Sequence, residues 1–130
     1  MMNGEENMAG ATARLMGAGF WAHDGKALAD FYAAALGWQV TRTFGDTAVM
    51  ISDGSEGATG YVFYTAKDFR APDWPKDELV FHVDLSCDDI AATEQRLLSL
   101  GATKPEHQPG GDRWTVLLDP SGQPFCISAS

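Results

Sequence analysis

The chain has 130 residues, of which 45% are hydrophobic and 11% aromatic, and this suffices for one packed domain without a second core. Its formal net charge of −9 argues against a nucleic-acid partner, because an acidic surface cannot replace the counterions around phosphates. The longest apolar runs are of strand length, so we expect no membrane partner. Cys87 and Cys126 lie far apart and outside any CxxC pattern, which favours reduced thiols in the cytoplasm.

Residues 1–14 open the chain, resemble no secretory signal and predict a flexible tail. A first unit is expected over 15–66, where a strand-like run leads into an amphipathic stretch. Asp24 is placed to cap the start of a helix there, and Gly37 to end it in the left-handed conformation. Three short β-rich segments are expected after the helix. The apolar stripe of this helix consists of Leu28, Phe31, Tyr32, Ala35 and Leu36.

A linker over 67–78, rich in proline and charge, joins this unit to a second one over 79–130. The helical spacing recurs in the second unit, where Asp88 or Asp89 offers a cap and Gly101 a stop. The apolar positions of this second helix are Ile90, Thr93, Leu97 and Leu98.

Three β-rich segments are expected after the second helix, over 104–108, 113–118 and 125–128. A break at 109–111 suits a hairpin, and the order Asp-Pro-Ser-Gly at 119–122 suits a β-turn. Each half is therefore expected to hold one strand, one helix and three further strands.

Two landmarks recur roughly 65 residues apart and indicate an internal duplication. The first is a strand-like run, an acidic residue and an amphipathic stretch that ends in Leu-Gly, at 36–37 and again at 100–101. The second is Gly-Asp, six residues and Asp, which begins at Gly45 and again at Gly111. The chain is therefore predicted to fold as two copies of one βαβββ unit.

The sequence carries several short motifs that bear on its family. They are LADFY at 28–32 with LGW at 36–38, HVDL at 82–85, LGA at 100–102 and DPSGQPFC at 119–126. With the tandem units, these motifs make the chain resemble the vicinal oxygen chelate superfamily of glyoxalases, bleomycin-resistance proteins and extradiol dioxygenases, and in particular its short glyoxalase-like members. The resemblance implies an α+β fold in which two tandem βαβββ modules form curved mixed sheets around a central cup. It also implies a homodimer.

The alternation of side chains along a strand separates residues that face this cup from residues under a helix. In the second module, the face expected under the helix carries Phe81, Val83 and Leu85. The opposite face, which would line the cup, carries His82, Asp84 and Ser86. By the equivalence of the two units, the first module lines the cup with Gly17, Gly19 and Trp21.

Metal-dependent members of the superfamily place His or Glu at four equivalent strand positions. His82 fills one of them, whereas Gly17 offers no side-chain ligand and the segment 61–64 contains no His, Glu or Asp. Cys126 stands where the closing carboxylate would be. We therefore expect no bound metal and no other cofactor, and the alternative is a zinc site of Cys126, His82 and Asp84.

His82 and Cys126 are the candidates for catalytic residues, because the family plan places them next to each other as a base and a thiol. The alternative is that His82 only hydrogen-bonds a group such as Asp84, and that Cys126 is a small buried hydrophobic residue. The residues themselves leave both interpretations open.

Aromatic residues favour a flat or apolar organic ligand in the cup. Phe63 or Tyr64 adds a ring beside Trp21 according to the strand register, and Trp74 on the linker is placed to cover the mouth. Trp21 and Trp114 would otherwise be ordinary core or interface residues. The full set of expected ligand-binding residues is Trp21, Phe63, Tyr64, Trp74, His82, Asp84, Arg113, Trp114 and Cys126.

Three functions remain open from the sequence. The first is a non-enzymatic protein, similar to the bleomycin-resistance members, that binds a small aromatic or amphipathic ligand in its cup. The second is an enzyme of the superfamily, of lyase, isomerase or dioxygenase type, with an atypical or metal-free site. The third is a dimeric interaction module whose cup is closed by side chains. The missing four-ligand set favours the first and third functions over the second.

Overall fold

The computed structural model describes residues 11–79 and 81–129 of the chain, which form seven strands and two helices. The first half contains β1 (Gly17–Ala22), α1 (Gly25–Leu36), β2 (Gln39–Phe44), β3 (Ala48–Ser52) and β4 (Gly60–Thr65). The second half contains β5 (Val83–Cys87), α2 (Ile90–Ser99), β6 (Trp114–Leu118) and β7 (Pro124–Ala129).

The strands form one four-stranded and one three-stranded sheet, in the orders β1-β4-β3-β2 and β5-β7-β6. In each half the first strand pairs in parallel with the last, and the other pairs are antiparallel. The predicted α+β fold with two curved mixed sheets is thereby confirmed. The module bounds, with their linker over 67–78, stay a prediction, and residues 1–10 of the predicted tail lie outside the described residues.

Both helices begin at an aspartate cap that the sequence indicated. The Asp24 side chain accepts a 3.0 Å hydrogen bond from the Ala27 N–H, and Gly37 ends α1 with a φ of 70°. Of the two candidate caps for α2, Asp89 takes the role and accepts from the Ala92 N–H at 3.0 Å. With 12 and 10 residues, neither helix of the described ranges has the length and apolar character to cross a membrane.

The duplication seen in the sequence is also present in the backbone. Gly45 and Gly111 both adopt the left-handed conformation, with nearly equal φ values of 59° and 60°. Asp53 and Asp119 each accept hydrogen bonds from the N–H and the hydroxyl of the serine two residues later. The two halves therefore repeat the same turn chemistry as well as the same order of elements.

The strand expected over 104–108 is not formed, so the second sheet has three strands rather than the predicted four. Within the described residues, Thr103 makes only an isolated bridge with Leu118. Gln108 contacts the edge of β6 instead. Its side-chain oxygen accepts from the Val116 N–H and its amide nitrogen donates to the Val116 carbonyl, both at 2.9 Å. Prolines within and directly after this segment lack the N–H groups that a further strand would need.

An aromatic cluster joins the two halves across the interior. The rings of Phe20 and Tyr32 stack on Phe63 at centroid distances of 4.9 and 5.7 Å. Tyr32 and Phe31 of α1 also meet Phe125 of β7, in both cases edge-on at 5.9 Å. Helix α1 therefore packs against both sheets, and the sheet faces opposite this core are left to line surface hollows.

Candidate functional site

One face of the three-stranded sheet forms a hollow of about 330 Å³, which we call the polar hollow. The strand register places Asp84 of β5 opposite Cys126 of β7, and Trp114 of β6 opposite Ser128. Because residues opposite each other in a sheet share a face, these four side chains point to the same side. The hollow is lined by His82, Asp84, Arg113, Trp114, Cys126 and Ser128.

Two contacts organise the polar groups of this hollow. Nδ1 of His82 lies 3.3 Å from Oδ1 of Asp84, and the two side chains are 41% and 70% exposed. The guanidinium carbon of Arg113 lies 4.9 Å from the ring centroid of Trp114, which is a cation–π distance. The hollow therefore offers an imidazole–carboxylate pair beside β5 and a cation stacked on a flat ring beside β6.

Cys126 lies between these two pairs, on the central strand of the sheet. Burial raises the pKa of its thiol, and the negative charge of Asp84 raises it further. A thiol with a raised pKa is protonated at neutral pH and is a weak nucleophile. This favours the interpretation of Cys126 as a small, partly buried hydrophobic residue over that of a thiolate activated by His82.

The four-stranded sheet has a hollow of its own, of about 400 Å³, which we call the glycine hollow. Its base is formed by Gly17 and Gly19 of β1 and by Gly60 of the neighbouring strand β4. Arg42 is the one charged side chain among the described residues that line it. The larger apolar side chains around it are Met16, Phe44, Met50, Val62 and Tyr64.

A third hollow, of about 310 Å³, lies where the two halves meet, and we call it the junction hollow. It shares Gly19 with the glycine hollow and His82 with the polar hollow, so the three hollows are neighbours. Trp21 lines the junction hollow and stacks on Tyr64 at a centroid distance of 4.9 Å.

Gly17 does not line the same hollow of the single chain as His82 and Cys126, which the sequence had placed with it in one cup. Gly17 lines the glycine hollow, whereas His82 and Cys126 line the polar hollow. The aromatic core draws together the helix-covered faces of the two sheets, so their opposite faces line separate hollows. Five of the expected ligand-binding residues meet in the polar hollow, while Tyr64 lines the glycine hollow and Trp21 the junction hollow.

Two aromatic residues lie elsewhere than expected. Phe63, an expected ligand-binding residue, is fully buried in the aromatic core, and the register places Tyr64 on the exposed face instead. Phe81, expected under a helix, is 72% exposed and lines the junction hollow. The physical reason is that β5 begins only at Val83, so the alternation of the strand does not extend back to Phe81.

The residues that line the hollows differ in part from those predicted from the sequence. Trp74 on the linker packs beside His107, with ring centroids 5.2 Å apart, and is not among the residues that line the polar hollow. Sequence reasoning missed Ser128 and Arg42. Ser128 lies two residues after Cys126 on one strand, so the alternation that marked Cys126 also marks Ser128. No comparable signal in the sequence marks Arg42.

The sequence model of the glyoxalase-like domain family matches residues 10–128, which is nearly the entire chain. The chain belongs to the glyoxalase-like domain family. This confirms the vicinal oxygen chelate superfamily that the sequence motifs indicated. A comparison with curated proteins found no match.

Solved structures share this glyoxalase-like fold. A possible glyoxalase from Bacillus cereus has a TM-score of 0.66 at 14% identity, over 91% of this chain and 100% of that one. A glyoxalase/bleomycin resistance protein/dioxygenase family enzyme from Burkholderia phytofirmans PsJN has a TM-score of 0.65 at 18% identity, over 90% and 98%. A bleomycin-binding protein complexed with bleomycin has a TM-score of 0.57 at 19% identity, over 92% and 99%. At such identities the likeness shows the fold alone.

The residues of this glyoxalase-like chain do not fit the four-ligand metal site that the superfamily implies. Gly17 supplies no side-chain donor and lies in a different hollow from His82. The segment 61–64 contains no His, Asp or Glu, and Cys126 holds the position of the closing carboxylate. No step of a metal-dependent reaction follows from such a set.

A different group of metal-ligating atoms does come together in the polar hollow. Single ligand atoms of His82, Asp84 and Cys126 lie within 4.8 Å of one another. Their number equals that of the protein ligands in catalytic zinc sites. Two features oppose a cation there: Arg113 lines the same hollow, and the Cys126 thiol, with its raised pKa, would have to lose its proton.

Proposed function

We propose that this chain is a glyoxalase/bleomycin-resistance-like protein that binds a small aromatic or amphipathic organic ligand in the polar hollow, without the four-ligand metal site. The observation that carries this proposal is that five residues marked by the sequence as ligand-binding line one hollow of about 330 Å³. This volume falls within the range of pockets that hold small organic molecules. The five residues are His82, Asp84, Arg113, Trp114 and Cys126.

The chemistry of the hollow indicates the kind of ligand. Arg113 and Trp114 form a stacked pair that offers a flat surface and a positive charge. On the other side of the central strand, His82 and Asp84 offer hydrogen-bond donors and acceptors. A ring system that carries polar substituents would satisfy both sides at once.

A structural neighbour supports ligand binding of this kind. One of the similar solved structures is a bleomycin-binding protein in complex with bleomycin, so the fold is compatible with an organic ligand in that protein. Because the sequence identity is 19%, this neighbour suggests only the class of ligand for the present chain, namely a small organic molecule, and not bleomycin itself.

A superfamily enzyme with an atypical or metal-free site is the second candidate function. One observation favours it, namely the close approach of an imidazole, a carboxylate and a thiol in the polar hollow. The raised pKa of the Cys126 thiol counts against a thiolate nucleophile in such an enzyme. A dimeric module with a closed cup gains no support from hollows of about 330 and 400 Å³.

We propose in addition that the chain forms a homodimer and works in the cytoplasm. Leu15 and Phe81 are 73% and 72% exposed, and contact with a second copy would remove apolar side chains of this kind from water. Sedimentation equilibrium at micromolar concentration is expected to give twice the mass of the chain. The mass of a single chain would contradict the dimer.

Calorimetric titration tests the ligand proposal with two probes, bleomycin and the neutral flat amide quinoline-4-carboxamide. We expect saturable binding of at least one probe, weakened about tenfold in His82→Ala because one hydrogen bond to a polar ligand is lost. His107→Ala, an exposed histidine outside the polar hollow, is the matched control and should bind like the wild type. The melting temperature of His82→Ala should change little, because exposed ion pairs contribute little stability.

Absence of saturable binding by both probes up to millimolar concentration would contradict the proposal. Equal weakening by His82→Ala and His107→Ala would also contradict it, because the binding would then lie outside the polar hollow. A large loss of melting temperature in His82→Ala with binding unchanged would assign His82 to the scaffold instead.

Elemental analysis of untagged protein tests the metal part of the proposal. We expect no stoichiometric metal. Stoichiometric zinc, iron or nickel would contradict this expectation, and its disappearance in Cys126→Ser would favour the atypical enzyme.

A further inference from the structure

We infer that the glycine hollow is a second ligand site, and that it takes an apolar molecule carrying one negative charge, such as an aromatic carboxylate. This inference goes beyond the proposed function, which concerns the polar hollow on the other sheet.

The base of the glycine hollow is backbone without side chains. Gly17 pairs with Gly60 across β1 and β4, and Gly19 lies opposite Val62. A Cβ atom on Gly17 would collide with the Gly60 carbonyl oxygen, and one on Gly19 would approach the Tyr64 ring to 3.2 Å. The close pairing of β1 and β4 therefore depends on glycine at position 17, and the base of the hollow, which carries no side chains, suits a planar ring.

The side chains around this base are apolar and partly adaptable. Met16 and Met50 are flexible thioethers that can follow the shape of a ligand, and Phe44 and Tyr64 add aromatic surface. The volume of about 400 Å³ is enough for a compound of two fused rings. An apolar body of that size would be removed from water on entering the hollow, which favours binding.

Arg42 supplies the only charge among the described residues that line the glycine hollow. Its guanidinium carbon lies 5.5 Å from the ring centroid of Phe44, a cation–π distance that favours a position beside the hollow. Within the described ranges no carboxylate forms an ion pair with Arg42. An unpaired guanidinium at the edge of an apolar hollow favours a carboxylate on the ligand and disfavours a cation.

The test compares three naphthalene probes that share a shape and differ in charge: 2-naphthoate, 2-naphthamide and 2-naphthylmethylammonium. Calorimetry gives the dissociation constants, and the amide chemical shifts of Gly17, Gly19 and Gly60 locate the bound probe. We expect 2-naphthoate to bind most tightly and to shift these glycines. In Arg42→Gln its affinity should fall about tenfold or more, because a charge-assisted hydrogen bond is lost.

Two control variants separate the effect of the charge at position 42 from the effects of side-chain shape and of position in the chain. Arg42→Lys keeps the charge and should lose less affinity for 2-naphthoate than Arg42→Gln. Arg70→Gln removes a charge from the linker, outside the lining of the glycine hollow, and should bind 2-naphthoate like the wild type. Added salt should weaken the binding of 2-naphthoate and leave the binding of 2-naphthamide nearly unchanged.

Equal affinity for the three probes, or unchanged 2-naphthoate binding in Arg42→Gln, would overturn the inference. Shifts confined to residues of the polar hollow would also overturn it, because the probe would then bind elsewhere. Absence of any shift of the three glycine amides with all three probes would overturn it as well. Binding of bleomycin or quinoline-4-carboxamide in the polar hollow is measured separately, so the two proposals can fail independently.

Discussion

The hydroxyl of Tyr32 on α1 donates a 2.7 Å hydrogen bond to Oδ2 of Asp119, and both residues are almost fully buried. This bond joins the first half of the chain to the turn before β7. Oδ1 of Asp119 accepts three further bonds, from the N–H and the hydroxyl of Ser121 and from the N–H of Gln123. One carboxylate therefore fixes both a turn and a contact between the halves, next to the junction hollow.

Tyr32→Phe is expected to lower the free energy of unfolding by about 1–3 kcal/mol, because a buried carboxylate oxygen of Asp119 loses its donor while the ring packing stays. Denaturation with urea measures the change. Tyr64→Phe is the matched control, since its ring lies on an exposed sheet face, and it should change the free energy by less than about 0.5 kcal/mol. Equal losses in the two variants would contradict the role of the buried bond.

The same bond predicts how stability changes at alkaline pH. Burial raises the pKa of Tyr32 well above its usual value of 10.0, and the charge of Asp119 raises it further. The pKa of Tyr32 is higher in the folded than in the unfolded chain. The stabilisation that protonated Tyr32 gives the folded chain is therefore fully present below about pH 10 and is lost as the pH rises beyond it. Above that pH the unfolding free energy of the wild type should fall more steeply than that of Tyr32→Phe, by up to about 1.4 kcal/mol per pH unit. Parallel curves would show that Tyr32 is not the titrating group.

Gln108→Ala is expected to lower the free energy of unfolding by about 1–3 kcal/mol, because Val116 loses both side-chain partners at the edge of β6. Hydrogen exchange of the Val116 amide should become faster at the same time. Gln95→Ala, at an exposed position of α2, is the control and should change neither quantity appreciably. An unchanged Val116 exchange rate in Gln108→Ala would contradict the edge contact.

The sequence was informative about the fold where local chemistry decides the structure. Asp24 and Asp89 could be predicted as caps, and 119–122 as a turn, because each depends on a side chain bonding its own neighbouring backbone. The prolines at 105 and 109 are a local signal against a strand over 104–108, but the contact that takes its place could not be predicted in this way. There the side chain of Gln108 replaces a strand by reaching Val116, and such a contact depends on the tertiary arrangement.

Gly17→Ala is expected to cost about 1–3 kcal/mol of stability, because the new methyl group would collide with the Gly60 carbonyl oxygen of the paired strand. Gly19→Ala should cost less, since the new methyl group would come into tight contact only with the Tyr64 ring, at 3.2 Å, and this ring can rotate. Thermal and urea denaturation measure both variants. Equal stability of the two would contradict the close pairing of β1 and β4 at Gly17.

Cys126 is expected to react slowly with iodoacetamide at neutral pH, because burial and the charge of Asp84 raise the pKa of its thiol above the usual 9.0. A pH–rate profile in the Cys87→Ser background should give an apparent pKa above that value. Asp84→Asn should lower the apparent pKa but leave the effect of burial. An apparent pKa below neutrality would contradict this account and favour a thiolate enzyme.

The residues of the polar hollow could largely be predicted, because alternation along β5 and β7 is a local property that assigns Asp84 and Cys126 to one face. The division into three hollows could not. It depends on which sheet faces pack together, and the contacts of Tyr32 with Phe63 and Phe125 that decide this join distant parts of the chain. The position of Phe81 could not be predicted for a related reason, since the strand, and with it the alternation, begins only at Val83.

Amide chemical-shift mapping during titration with bleomycin and quinoline-4-carboxamide shows whether an organic ligand binds on the exposed face of the three-stranded sheet. We expect the largest shifts at Asp84, Trp114, Cys126 and Ser128, which share that face. Saturable shifts that cluster outside this face, or no saturable shift with either probe, would rule out a ligand site in the polar hollow.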